Sequence, residues 1–222
     1  MAFYPNLLTP LQQRILRLVS GRIPGLFLTG GTALGSFYLG HRRSVDIDLF
    51  TRDAGAFNSS VRAFLALLQD AGLTATAGQA GPGFRRFLVS DGADQVPVDV
   101  ATDTAPALAP PVVREDGLLV DSLDDIAANK LTAILGRAEV RDYVDLYFLE
   151  REGMDLLSLM PAAQRKDGGL EAATLAFVLS QVKVRQAPEG LERPVTAEEL
   201  QAFVDDLRTR LARAAFPRGE PA

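Results

Sequence analysis

A pair of glycines, Gly30-Gly31, stands between the apolar run Leu26-Phe27-Leu28 and a helical run from Ala33 to Leu39. The next periodic segment, Val45 to Phe50, alternates apolar and polar residues. A short apolar run, a turn that glycine enters without steric cost, a helix closed by Gly40 and an alternating strand make a strand–turn–helix–strand unit, which excludes an all-helical chain. Alternation puts Val45, Ile47 and Leu49 on one face and Asp46, Asp48 and Phe50 on the other, so the two carboxylates share a strand face. The turn before them offers backbone N–H groups and the Thr32 hydroxyl to phosphate oxygens. Together these groups read as holders of a divalent metal beside a triphosphate.

The first half continues in the same mixed style. Thr9 and Pro10 form an N-cap and first helical position, Leu11, Ile15, Leu18 and Val19 make one apolar stripe, and Gly21 ends the helix. A helix from about Ser60 to Ala71 stops at Gly72, and Leu73–Ala77, Phe84–Ser90 and Val96–Ala101 read as strands, the last two joined through Asp91-Gly92. Pro106, Pro110 and Pro111 then mark a linker, because proline lacks an N–H donor and blocks a helix. Beyond them helices dominate: one capped by Asp121 or Ser122 runs to about Arg137, another spans Val140–Arg151, and Thr196-Ala197-Glu198-Glu199 is a capping box that opens the last. The fold class expected is α+β, with an α/β core over 1–110 and a mainly helical region over 111–222 that completes a cleft.

Composition narrows the function classes. Hydrophobic residues make up 47% of 222 and the mean hydropathy is +0.09, so a core forms and disorder is excluded. No run approaches the roughly 20 apolar residues of a membrane span, and Met1 to Pro10 lacks a signal-peptide pattern, which predicts a cytoplasmic chain with no membrane partner. Zero cysteines exclude disulfides and thiolate metal sites. At a net charge of −5 there is no broad pull toward nucleic acid, so RNA contact has to come from local clusters such as Arg42-Arg43, Arg85-Arg86 and Arg137 with Arg141.

Asp99, between Val98 and Val100, repeats the apolar–Asp–apolar pattern. If its strand neighbours that of Asp46 and Asp48, all three carboxylates converge on one or two Mg²⁺ (or Mn²⁺) ions, hard cations that take oxygen ligands. An Asp-x-Asp pair alone says little: with 18 Asp in the chain, about one or two arise by chance. Taken singly, the pair is more often the solvated face of a strand, and Gly-Gly more often a tight turn. Their order in one segment favours the phosphate and metal alternative. His41, next to a helix-ending glycine, is expected to cap or pack rather than to catalyse.

The segments Leu28-Thr29-Gly30-Gly31-Thr32-Ala33-Leu34, His41-Arg42-Arg43-Ser44-Val45-Asp46-Ile47-Asp48-Leu49-Phe50, Asp125 to Ala133 and Arg137 to Leu149 resemble the AbiEii/AbiGii toxin family, a branch of the DNA polymerase β-like nucleotidyltransferase superfamily. After about Asp155 nothing specific is similar. The resemblance implies that Gly30, Gly31 and Thr32 hold phosphates, that Asp46, Asp48 and Asp99 bind metal, and that Asp99 assists deprotonation of the acceptor. It further implies that Lys130 neutralises phosphate charge, while Asp142 or Asp145 orients that lysine or contacts the nucleotide, with Asp145 preferred. Read from residues alone, Lys130 snorkels from a helix and Asp145 pairs with Arg141. The activity implied is Mg-dependent transfer of an NMP from an NTP to an acceptor hydroxyl. The acceptor expected is the 3′ end of tRNA or another RNA, in a type IV toxin–antitoxin or abortive-infection system with a cognate antitoxin. The alternatives are nucleotidylylation of a protein hydroxyl and a catalytically inactive nucleotide- or partner-binding module.

Overall fold

The computed structural model describes residues 2–137 and 139–216. The chain divides into two compact units: one comprises the chain up to Thr104 together with Ala109–Leu123, the other Ala105–Leu108 and the chain from Asp124 on.

The first unit is built on a seven-stranded mixed sheet with strand order β3-β4-β5-β2-β1-β7-β6. Its strands are β1 (Leu26–Thr29), β2 (Ile47–Thr51), β3 (Thr74–Gly81), β4 (Phe84–Ser90), β5 (Gln95–Thr102), β6 (Val112–Val113) and β7 (Leu119–Val120). Three helices accompany them: α1 (Pro10–Val19), α2 (Gly30–Leu34) and α3 (Phe57–Asp70). The Thr9 capping box closes on Gln12, and α1 buries Leu11, Ile15, Leu16 and Val19. One sheet face carries Leu28, Ile47, Leu49, Val89, Val98 and Val100, each at most 1% exposed, and Phe64 of α3 meets Phe87 there at 6.1 Å. The opposite face carries the polar side chains, because register fixes which residues share a face.

Two differences from the sequence expectation have clear causes. The helix after β1 begins at Gly30 itself and continues as a π-helical turn, Gly35–Leu39, ended by Gly40 at φ +63°. Ahead of the helix expected from Asp121 or Ser122, the segment beyond Pro111 forms β6 and β7, and β7 pairs in parallel with β1 (Phe27 with Leu119, Leu28 with Val120). Two-residue strands carry almost no periodicity, so no sequence pattern marks them.

The second unit is helical: α4 (Leu123–Gly136, from Asp124 on), α5 (Val140–Arg151), α6 (Met160–Lys166), α7 (Ala172–Ser180) and α8 (Ala197–Ala215). Thr196 and Glu199 form the expected capping box, and Leu200, Phe203, Val204, Leu207 and Leu211 give α8 one buried stripe. Tyr147 of α5 meets Phe203 edge-on at 5.6 Å. Buried Asp125 holds the Lys166 ammonium at 2.7 Å and accepts the Leu108 N–H at 3.1 Å, tying the 105–108 segment to the helices. No helix among the described residues is long and apolar enough to cross a membrane.

Candidate active site

The glycine turn is shaped by what packs against it. Gly30 sits at φ +70°, and a Cβ there would lie 2.7 Å from the Asp48 Cγ, so both its backbone angle and its missing side chain are needed for Asp48 to stand where it does. A Cβ on Gly31 would fall 2.8 Å from Arg42 Nη2 and from Ser44 Oγ. The Thr32 hydroxyl, buried, donates to the Asp46 carbonyl at 2.5 Å, and Ser44 Oγ donates to Asp46 Oδ1 at 2.8 Å. Gln12, fully buried, anchors the same loop by donating to the Ser44 carbonyl at 2.9 Å. Hence Thr32's hydroxyl clamps Asp46 rather than pointing toward a phosphate, and the turn's remaining offer to an anion is its backbone N–H groups.

Asp46 is not part of a strand. β2 begins at Ile47, Val45 is 70% exposed, and Asp46 lies in the bend before β2 because its carbonyl accepts a hydroxyl instead of a ladder N–H. The expected alternation over Val45–Phe50 therefore starts two residues late.

Register lines up a row of polar side chains across four strands. Arg86 of β4 faces Asp99 of β5, Asp99 faces Asp48 of β2, and Asp48 faces Thr29 of β1. Neighbouring strands stand about 4.8 Å apart, so Asp48 and Asp99 are adjacent on one face. Thr29 donates to Oδ2 of Asp121 at 2.9 Å, and Arg52 donates to Oδ1 at 3.1 Å while its guanidinium lies 4.8 Å above the Phe27 ring. Arg86 grips Asp99 with both arms of its fork, Nε to Oδ1 at 2.7 Å and Nη2 to Oδ2 at 2.5 Å. Those hydrogen bonds, then the charge of Asp99 and behind it those of Asp46 and Asp48, raise the Arg86 pKa above its ordinary value.

Convergence of the three carboxylates on a metal is thus not what the structure has. Asp48 and Asp99 are neighbours as expected, but both Asp99 oxygens are occupied by Arg86, and no three acidic or His side chains among the described residues are grouped to hold one ion. The chemistry of the donors nevertheless suits a hard divalent cation: Asp46 and Asp48 are half-buried carboxylates flanking the glycine turn, with the Asp99 carboxylate beside Asp48.

Arg86 and Asp121 are participants that sequence reasoning missed. Arg86 looked like half of a surface basic pair, and Asp121, at the end of the apolar run Leu118-Leu119-Val120, looked like a helix cap. The signal was available: a charged residue ending or interrupting an apolar strand pattern belongs to a sheet face. The other basic candidates are largely engaged within the chain. Arg42 is buried against Gly31, Arg85 donates to the Gly81 and Phe84 carbonyls, and Arg141 pairs with Glu139. His41 is fully buried.

The remaining site candidates form a separate cluster in the second unit. Lys130 of α4 places Nζ 3.0 Å from Asp142 Oδ1 and 2.7 Å from Asp145 Oδ2, both on one face of α5. Its side chain is 6% exposed and both carboxylates are at 0%. Both acids contact the lysine, Asp145 as preferred from the resemblance and Asp142 beside it. Arg137 adds a bidentate contact to Asp142, 2.9 Å on each arm. Burial pushes the Asp142 carboxyl up, but the Arg137 hydrogen bonds and the charges of Lys130 and Arg137 outweigh it and hold Asp142 below the usual carboxylate value. Tyr143 beside it is pushed up to about 12 by burial and by the Asp142 charge.

The sequence that carries these two clusters matches a known family over nearly the whole chain. Residues 14–218 match the family described as "Nucleotidyl transferase AbiEii toxin, Type IV TA system". The chain belongs to that family. As an AbiEii-family protein it is a nucleotidyltransferase toxin, a class that takes an NTP as substrate and an antitoxin as partner. Solved structures agree on the fold. JHP933 from Helicobacter pylori is similar with a TM-score of 0.59 at 19% identity, over 96% of this chain and 95% of that one. MenT4, the nucleotidyltransferase toxin Rv2826c of Mycobacterium tuberculosis H37Rv, gives 0.59 at 18%, over 91% and 82%. No curated protein matches the AbiEii-family chain in sequence.

Proposed function

We propose that this AbiEii-family protein transfers an NMP from an NTP to a hydroxyl at the 3′ end of tRNA or another RNA, with Mg²⁺ or Mn²⁺ as the resident ion, in the cytoplasm, and that arrest of translation or abortive infection follows. The observation that carries the reading is the side-by-side placement of Asp48 and Asp99 on the sheet face, with Gly30 shaped to Asp48. Asp46, Asp48 and Asp99 would hold the ion, which supplies charge neutralisation at the triphosphate. Backbone N–H groups of Gly30, Gly31 and Thr32 bind phosphate oxygens. The acceptor oxygen bonds to the α-phosphorus, the bond to the β-phosphate oxygen breaks, pyrophosphate leaves with the electron pair, and Asp99 receives the acceptor proton. Lys130 lends positive charge toward the phosphates, with Asp142 and Asp145 orienting its ammonium, and the rate gain comes from positioning and electrostatics.

A second reading keeps this site and changes the acceptor to a protein hydroxyl. It is favoured by the net charge of −5 and by the internal engagement of Arg42, Arg85 and Arg141, which leaves less positive surface for an RNA backbone. Incubation with each labelled NTP, Mg²⁺, total RNA and total protein separates the two by where label lands. Transfer to no acceptor, with NTP bound and recovered intact, would leave only a binding module.

A further inference from the structure

Asp48 and Asp99 are like charges on neighbouring strands and the same face, a placement that destabilises a sheet unless a cation lies between or beside them. In this structure Arg86 supplies such a cation to Asp99. Its grip on Asp99 uses both carboxylate oxygens, yet the Arg86 side chain is 48% exposed while that of Asp99 is 10% exposed. This differs from Lys130, whose side chain is only 6% exposed between its two carboxylates. A half-exposed arginine can swing off its partner by side-chain rotation alone, with β4 and β5 unchanged. While it stays, a dication approaching Asp99 meets a fixed positive charge; once it leaves, the Asp99 carboxylate is released beside Asp48.

We propose that Arg86 is an electrostatic latch on Asp99: it offsets the charge of that carboxylate in the resting protein, and a divalent cation reaches Asp99, beside Asp48, only by displacing it. The proposal rests on the nucleotidyl-transfer reading and adds a control to it. The displaced guanidinium, a planar fork suited to phosphate, then turns to the nucleotide's phosphates, so metal and nucleotide favour each other through this residue. Such coupling is reciprocal, and Arg86 is a positioning residue acting through Asp99.

The test is Mn²⁺ binding without nucleotide, followed by electron paramagnetic resonance, for the wild type, Arg86→Met, Arg86→Lys and Arg86→Met with Asp99→Asn. Arg86→Met is expected to bind Mn²⁺ about tenfold more tightly than wild type, within the usual range of coupling between sites. Arg86→Lys should fall between, and the Asp99→Asn double variant should lose the gain. Added Mn²⁺ should raise the melting temperature of Arg86→Met more than that of wild type. With a methylene-bridged NTP analogue present, wild-type affinity should rise toward that of Arg86→Met. Wild type binding Mn²⁺ as tightly as folded Arg86→Met and Arg86→Lys would overturn the latch while leaving the metal reading standing. Absence of Mn²⁺ binding by every protein, with and without the analogue, would overturn both.

Discussion

Replacing Lys130 by Met removes a cation that two fully buried carboxylates share, at 3.0 and 2.7 Å, while keeping an unbranched side chain one atom shorter. Arg137 still covers Asp142 through two hydrogen bonds, so the uncompensated charge falls mainly on Asp145. Breaking a buried ion pair by deleting one partner costs about 3–5 kcal/mol. For a chain of this size that corresponds to a melting-temperature drop of roughly 6–20 °C. The loss has a pH signature. Buried without its cation, Asp145 in the variant has a folded pKa raised above the unfolded value of about 3.9, so the folded state binds more protons and stability falls as pH rises through the raised value. The deficit against wild type should therefore be larger at neutral pH than in mild acid. Urea unfolding of both proteins at several pH values measures it, and Asp145→Asn added to Lys130→Met should recover a large part. A deficit below about 1 kcal/mol at neutral pH, or one independent of pH, would refute the assignment of Lys130 as a buried counter-ion.

Other outcomes follow from the same contacts. Gly30→Ala forces a side chain into a φ of +70° and into the Asp48 carboxylate; about 1–2 kcal/mol of stability and at least about 100-fold in label transfer should be lost, and wild-type transfer would contradict the shaped turn. Thr32→Val removes the buried donor to the Asp46 carbonyl and should cost about 1–3 kcal/mol in a urea melt, with the loop from Ser44 to Asp46 exchanging amide hydrogens faster. Asp142 titrates below its ordinary value in the fold, so its stabilisation is complete above about pH 3.9 and is lost as pH falls through the lower folded value. Asp142→Asn should flatten that acid limb of the stability curve; an unchanged acid slope would show that Asp142 does not carry it.

Much of the fold was legible because its elements carry strong local signals. The Thr9 N-cap with Pro10 behind it, the Thr196 capping box and the β4–β5 hairpin with Asp91-Gly92 are short-range patterns, and the structure has each of them. Asp48 and Asp99 could be recognised as strand residues from their apolar neighbours, but their adjacency depends on β2 and β5 pairing in parallel, a long-range choice that no local pattern encodes. Asp46 was misplaced into the strand because the Thr32 hydroxyl takes its carbonyl and Gln12 takes the Ser44 carbonyl, contacts made by residues distant in the sequence. For the same reason Arg86 and Asp121 passed as a surface arginine and a helix cap: their roles arise from residues facing them across the sheet. The Lys130 cluster came from family resemblance; its burial and the bidentate Arg137 contact came only from tertiary packing.

The most direct test is transfer of label from each α-labelled NTP, with Mg²⁺, to total cellular RNA and protein, beside the Asp46→Asn Asp48→Asn variant, which loses charge with little change of shape. Label on small RNA that disappears in the folded variant is the expected result. Equal labelling by the variant would contradict nucleotidyl transfer at the site formed by Gly30, Asp46, Asp48 and Asp99.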